Sequence, residues 1–269
     1  MSESTASPVL YEVRDGVAVV TLNRPEAMNA VNAALATGLG EAIERASADR
    51  DVRVVVLTGT GRAFCAGADL KAIARGESIF DDAHPDWGFA GLVQHWTDKP
   101  VIAAVNGFAM GGGTELTLAC DLVVAADTAV FGLPEVKRGL IAGGGGVVRL
   151  AQQVPVKRAL EMVLTGDGIE ASLALEWGLV NRVVPADEVL TTALELARKI
   201  AANAPLSVQY SKRALYRTRQ AASDWNPEWV AEDPWAVNGE LMVAVMTSAD
   251  AMEGPRAFAE KREPNWRGE

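Results

Sequence analysis

Apolar and polar residues alternate along VLYEVRDGVAVVTLN on either side of Asp15-Gly16, and this period of two predicts a β-hairpin that opens a sheet. Asn23-Arg24-Pro25 ends its second strand, and the Ala-rich stretch from Val31 to Ala48 takes up a helical period. At VRVVVLTG (52–59) the pattern changes, and a short β-branched run with little alternation predicts a strand covered on both faces. The same grammar repeats. Short helices are expected at Leu70 to Arg75 and Phe89 to Trp96, and buried strands at VIAAVNG (101–107) and DLVVAAD (121–127). LVNRVV (179–184) closes a later small unit ahead of a helix from Ala186 to about Ala202. Strands alternating with helices imply an α/β architecture with parallel pairing. From Ala186 onward the pattern is almost wholly helical, broken at Pro205, Pro227, Pro234 and Gly254-Pro255. The chain therefore divides into a core at 1–185 and a helical region at 186–269, suited to closing a pocket or meeting a second subunit.

Composition narrows the function. The 269 residues suffice for one large core, and 49 % hydrophobic with 22 % charged residues is globular rather than disordered. Lys and Arg total 25 against 35 Asp and Glu, a formal charge of −10 without a basic block. That balance disfavours nucleic acid and anionic membrane surfaces, while leaving room for a local cationic pocket. With two cysteines, Cys65 and Cys120, and no cationic-then-apolar leader, the expected setting is reduced and cytoplasmic. No run is long and apolar enough to predict a membrane span. His84 and His95 lie eleven apart with no thiolate in register, so they read as supporting side chains rather than zinc ligands.

Three glycine-rich stretches follow strands: GRAFCAGADL (61–70), NGFAMGGGTEL (106–116) and GLIAGGGG (139–146). None satisfies the dinucleotide fingerprint, and none carries the Gly-Lys-Ser/Thr of a P-loop. Two uses remain: tight packing by small residues, or free N–H groups at helix starts, one from each of two facing runs, directed at a developing oxyanion. Glu115 follows Gly111-Gly112-Gly113, and Glu135 follows Pro134 after an apolar segment. Both are isolated charges in apolar surroundings, where burial raises a carboxyl pKa toward neutrality and suits it to proton transfer. Trp225, Trp229 and Trp235 cluster at the C-terminal breaks, either as packing aromatics or as the lining of an acyl pocket.

GRAFCAGADLK, NGFAMGGGTEL, CDLVVAA, FGLPEVKRGL, the stretch from Thr165-Gly166 to GLVNRVV and the terminal EGPRAFAEKREP together resemble the enoyl-CoA hydratase/isomerase, or crotonase, family, colinearly from about Tyr11 to Arg262. The resemblance implies the crotonase fold, built of repeated ββα units with C-terminal helices. It also implies a lyase that adds water across a 2-enoyl-CoA thioester in acyl-CoA metabolism, with no metal or redox cofactor and with coenzyme A as part of the substrate. On this sequence it places oxyanion donors at the N–H groups of Ala66 and Gly112 and proton transfer at Glu115 and Glu135. Coenzyme A contacts would fall at Ala27, at Ala66, Gly67, Ala68, Asp69 and Leu70, and at Phe258 and Lys261 reaching across a trimer or dimer of trimers. The chain departs from the family pattern at Glu26, where Lys is usual, and at Leu140-Ile141-Ala142-Gly143, where Pro is usual. It also has a longer stretch from Asp224 to Pro234 and extra aromatic bulk at Trp87-Gly88-Phe89. These departures point toward a specialised branch, such as a carnitinyl-CoA or aromatic-acyl-CoA hydro-lyase. An enoyl-CoA isomerase is one rival. The other is a weakly catalytic RNA-associated homologue, for which Arg213 to Arg219 is too short a basic segment.

Overall fold

After an opening hairpin that lies wholly in a large sheet, each of the next three units lays one strand in that sheet and the next in a small one. In the computed structural model, residues 7–218, 244, 247–250, 253, 257, 260 and 262–269 are described. The hairpin β1 (Val9–Arg14) and β2 (Val17–Leu22) leads to helix α1 (Ala33–Ala48). The pattern strand, strand, helix then recurs in β3 (Val54–Gly59), β4 (Ala63–Cys65) and α2 (Leu70–Ala74), and in β5 (Val101–Val105), β6 (Phe108–Met110) and α3 (Gly112–Ala119). A further turn of it gives β7 (Leu122–Ala126), β8 (Val130–Gly132) and α4 (Gly146–Gln153). After α5 (Val156–Thr165) come β9 (Ile169–Glu170), α6 (Ala171–Glu176), β10 (Arg182–Val184), α7 (Val189–Ala201) and α8 (Pro205–Thr218).

The large sheet runs β1-β2-β3-β5-β7-β10 and the small one β4-β6-β8-β9. Pairing is parallel from β2 through β10, as the uninterrupted apolar runs require of strands covered on both faces. The exceptions are the opening hairpin and the β8–β9 pair, which are antiparallel. Helix α7 packs across β3, β5 and β7, and its Val189, Ala193, Leu194 and Ala197 belong to the same core as the strands. Helix α8 is tied to the sheet edge by Lys212, whose Nζ lies 2.8 Å from Asp121, and by the Tyr216 hydroxyl, which donates to the same carboxylate at 3.0 Å.

Two expectations from periodicity are corrected. Helix α1 starts at Ala33, because the Asn32 side chain caps it by accepting from the Leu35 N–H. Val31 is drawn out of the helix to bridge Ala68. The segment Phe89 to Trp96 is not a helix. Pro85–Trp87 and Phe89–Gly91 form short 3-10 turns, and Gly88, Ala90 and Gly91 all have positive φ, which helical hydrogen bonding does not accommodate. Its apolar residues Phe89, Leu92 and Val93 are buried all the same, so burial produced the apparent period. Trp225, Trp229 and Trp235 lie outside the described residues.

The corner after the hairpin organises the site. Asn29 is fully buried with φ +57°, a conformation Asn tolerates better than most residues. Its amide Nδ2 donates to the carbonyls of Thr60, Ala63 and Phe64 at 2.8–3.1 Å, and its Oδ1 accepts from the Arg24 N–H at 2.8 Å. This one side chain therefore supplies the partners that the β3–β4 connection cannot find in a sheet. Asn29→Ala should lower stability by about 2–4 kcal/mol, because buried carbonyls lose their donor and a residue less suited to positive φ replaces Asn. The midpoint of urea denaturation measures the loss.

Candidate active site

The small sheet sets two glycine-rich segments side by side. The chain leaving β4 turns at Gly67, whose φ of +91° is open to glycine, and a Cβ there would lie 2.8 Å from the Met110 carbonyl oxygen and 2.9 Å from the Gly112 nitrogen. At Gly113 a Cβ would sit 2.0 Å from the Cys65 carbonyl oxygen. Only chains without side chains at these points approach so closely, and the start of α3 is thereby pressed against the 66–69 segment.

That approach leaves two amides unspent. Among the described residues the Gly112 N–H has no hydrogen-bond partner, as expected of the first residue of a helix. The resemblance assigns the companion donor to Ala66, and the structure corrects this: the Ala66 N–H donates to the Met28 carbonyl at 3.0 Å. Val31 pairs with the residues on either side of Ala68, donating to the Gly67 carbonyl at 2.8 Å and accepting from the Asp69 N–H at 2.9 Å. In such a ladder the N–H of the intervening residue faces the other way. The Ala68 N–H accordingly has no partner among the described residues, and Ala68 lines the same cavity as Gly112.

This cavity of about 740 Å³ is bounded by Ala66, Gly67, Ala68 and Leu70 on one side and by Gly112, Glu115 and Glu135 on the other. It is the scale of a small-molecule site. Ala27 and Asp69, two expected coenzyme A contacts, are not on its wall. Ala27 closes a 3-10 turn, and Asp69 caps α2 by accepting from the Lys71 and Ala72 N–H groups while pairing with Arg24 at 3.1 Å. Burial opposes the Asp69 charge, but the two amides and the guanidinium outweigh it and hold the carboxyl below its usual range. Phe258 and Lys261 lie outside the described residues.

Glu115 and Glu135 are brought together in the cavity, and their settings differ. Glu115, on the first turns of α3, is only 4 % exposed, and its Oε1 accepts from the Gly146 N–H at 2.9 Å. Burial pushes its carboxyl up to about 7, helped by the Glu135 charge and opposed by the amides of Gly146 and Gly144 and by the Arg149 cation. Glu135 opens a 3-10 turn after β8 and is half-buried. Among the described residues its Oε2 has no hydrogen-bond partner, its Oε1 would lie 3.0 Å from a Cβ at Gly111, and burial raises its pKa as well. Sequence reasoning missed the amides of Gly144 and Gly146 as partners of Glu115. The third glycine run, lying just ahead of α4, was the signal available. It also missed the buried Arg149, whose guanidinium donates to the Val93 carbonyl at 2.6 Å. Among the described residues no cluster of His, Cys, Asp and Glu could hold a metal ion, and no helix is long and apolar enough to cross a membrane.

Paired carboxylates beside two free amides in an apolar cavity are the equipment of a hydro-lyase acting next to a carbonyl, and known proteins agree. The model of the enoyl-CoA hydratase/isomerase family matches residues 12–269, and the chain belongs to that family, with the crotonase fold and the hydro-lyase chemistry of its superfamily. It is 44 % identical to the carnitinyl-CoA dehydratase of Salmonella arizonae over the full length of both chains. Among solved structures it is similar to an enoyl-CoA hydratase from Mycobacterium tuberculosis, with 46 % identity and a TM-score of 0.89 over 98 % of this chain and 100 % of the other. The carnitinyl-CoA hydratase of Mycobacterium avium is 53 % identical over the same shares, with a TM-score of 0.79.

The raised pKa of Glu115 makes stability depend on pH. The folded state keeps its proton up to about pH 7, whereas the unfolded chain loses it near the ordinary glutamate value of 4.5. Between those values the native state binds more protons, so this contribution is full below pH 4.5 and falls as pH rises to about 7. Glu115→Gln should remove it, and the stability difference between variant and wild type should move by roughly 2–3 kcal/mol in the variant's favour from pH 4.5 to pH 8. Urea midpoints across that range test the sign.

Proposed function

We propose that the chain interconverts a 3-hydroxyacyl-CoA carrying a quaternary ammonium group, of the carnitinyl-CoA type, with its conjugated 2-enoyl counterpart. The observation that carries the hydro-lyase reading is the pair Glu115 and Glu135 in one cavity beside the free amides of Ala68 and Gly112. In the hydration direction the thioester oxygen accepts from those two amides, which take up the negative charge that develops as the β-carbon is attacked. Glu115, whose amide partners favour the ionised form, takes a proton from the attacking water. Glu135, with one oxygen unpartnered, delivers a proton to the α-carbon. Dehydration runs the same steps backward: Glu135 removes the α-proton and Glu115 protonates the departing hydroxyl. A Glu115 carboxyl poised near neutrality serves either direction.

Support for the acyl group comes from two sources. Relatives named for carnitinyl-CoA match this chain along its full length. The cavity also brings together two carboxylates and the edge-to-face pair Phe80 and Phe89, whose ring centroids are 6.4 Å apart. Aromatic faces and nearby anions suit a trimethylammonium group. The likeness to an enoyl-CoA hydratase favours a second reading, hydration of a simple 2-enoyl-CoA. Loss or gain of the conjugated thioester absorbance, followed with crotonobetainyl-, crotonyl-, decenoyl- and cinnamoyl-CoA, separates them. The first should give the highest kcat/KM, and a clear preference for crotonyl- or decenoyl-CoA refutes the carnitinyl assignment. On the preferred substrate, Glu115→Gln and Glu135→Gln should each lower kcat by about 10²-fold or more, with substrate affinity little changed. Full hydration by Glu115→Gln rejects the two-carboxylate mechanism.

The proposal extends to assembly as a trimer or dimer of trimers. Val156, Leu160 and Leu164 form a row of exposed apolar residues along α5, at four-residue spacing on one helix face. Light scattering should give three or six copies. A monomer at micromolar concentration overturns that reading.

A further inference from the structure

Both histidines of the chain flank one tryptophan. The His84 ring stacks on Trp87 at 3.9 Å between centroids, and His95 stacks on its other face at 4.4 Å, all nearly parallel. His84 is exposed and tethered through Nδ1 to Asp81 at 2.8 Å. His95 is only 6 % exposed. Its Nδ1 lies 3.1 Å from the Gly91 carbonyl, which can only accept, so that nitrogen donates. Its Nε2 lies 2.7 Å from Glu44 on α1. The tryptophan meets the same helix with a ring edge: a Cβ at Gly40 would lie 2.2 Å from its Cε3, and one at Gly91 would lie 2.2 Å from the Ala36 carbonyl. Ala36, Gly40 and Glu44 are four residues apart, so one face of α1 receives the whole assembly.

The held segment is strained and sits at the site. Gly88, Ala90 and Gly91 all have positive φ, and for Ala90, at +58°, this is costly unless the surroundings impose it. Between them Phe89 lines the cavity, and its ring fills the space where a Cβ at Gly112 would meet it at 2.3 Å. Its Cβ also lies 3.1 Å from where a Cβ at Gly144 would be. Phe89 thus packs against Gly112, the residue that carries the free amide of α3, and against the segment that holds Glu115.

We infer that His95 is a positioning residue: joined to Glu44 and stacked on Trp87, it holds the Gly88–Gly91 turn on α1 and so fixes the Phe89 ring that walls the acyl end of the cavity. Calling that end acyl rests on the proposed function. The residues that do the holding lie outside the cavity, and the carboxylates Glu115 and Glu135 play no part in it.

The test uses Glu44→Ala, a change at a surface side chain of α1, together with His95→Ala. The first readout is hydrogen exchange of the amides of Gly91 to Gln94, which should speed up about tenfold in both variants. Unchanged exchange in folded Glu44→Ala overturns the inference whatever the substrate is. The second is the ratio of kcat/KM for crotonobetainyl-CoA to that for crotonyl-CoA, which should fall about tenfold while the affinity for free coenzyme A, measured by calorimetry, stays the same. A merely structural role would lower both rates by one factor, and an unchanged ratio in folded Glu44→Ala overturns the positioning role. A wild-type protein that turns over neither thioester refutes the proposed function, and the exchange measurement still judges the clamp.

Discussion

The close approach of two backbones at Gly67 and Gly111–Gly113 is the constraint on which the rest of the site depends. Any side chain at Gly113 would collide with the Cys65 carbonyl, and one at Gly67 with the amide of Gly112. Because the chains meet without side chains, the first amide of α3 and the amide of Ala68 come to one cavity with no partner among the described residues. Backbone donors held in this way do not have to reorganise when charge appears beside them, which gives them their strength in a dry site. The layout of the sheets follows the same demand. Strands β4, β6 and β8 run side by side in the small sheet, so the segments after β4 and β6 emerge together at one edge. The turn carrying Glu135 follows β8 at that same edge.

Electrostatic work is divided between the two carboxylates by what surrounds them. Glu115 is deeply buried and is given amide partners at the start of α4, so its charge is tolerated but not free. Glu135 is less buried and has an oxygen with no partner among the described residues. Two acids with the same side chain, both raised by burial, thus acquire different partners from position alone.

Much of this was legible in the sequence. Apolar runs within 52–59, 101–107 and 121–127 read correctly as buried strands, because a parallel sheet leaves little room for polar alternation. Two isolated glutamates after apolar segments, each near glycines, stood out for the same reason that burial later raised their pKa. What could not be read was set by contacts far apart in the chain. The donor at 66–69 shifts by two residues because Met28 and Val31 select which amides are consumed, and no local pattern encodes their arrival. The apolar spacing of Phe89, Leu92 and Val93 mimicked a helix, whereas a strained turn folded onto α1 buries the same residues. The partnership of His95 with Glu44 spans 51 residues and leaves no periodic trace.

The strained turn at 88–91 has a consequence for how such an enzyme changes over generations. It belongs to no sheet, and besides its buried Phe89 and Ala90 it is held by the rings of His84, Trp87 and His95, the carboxylate of Glu44 and the Arg149–Val93 bond. The amides and acids that the proposed reaction uses are carried by the segments after β4, β6 and β8. Under the proposed function, mutation at these anchors can shift the wall at Phe89 without replacing any residue of those segments. A lineage built on this plan can diversify its diet while inheriting its reaction intact.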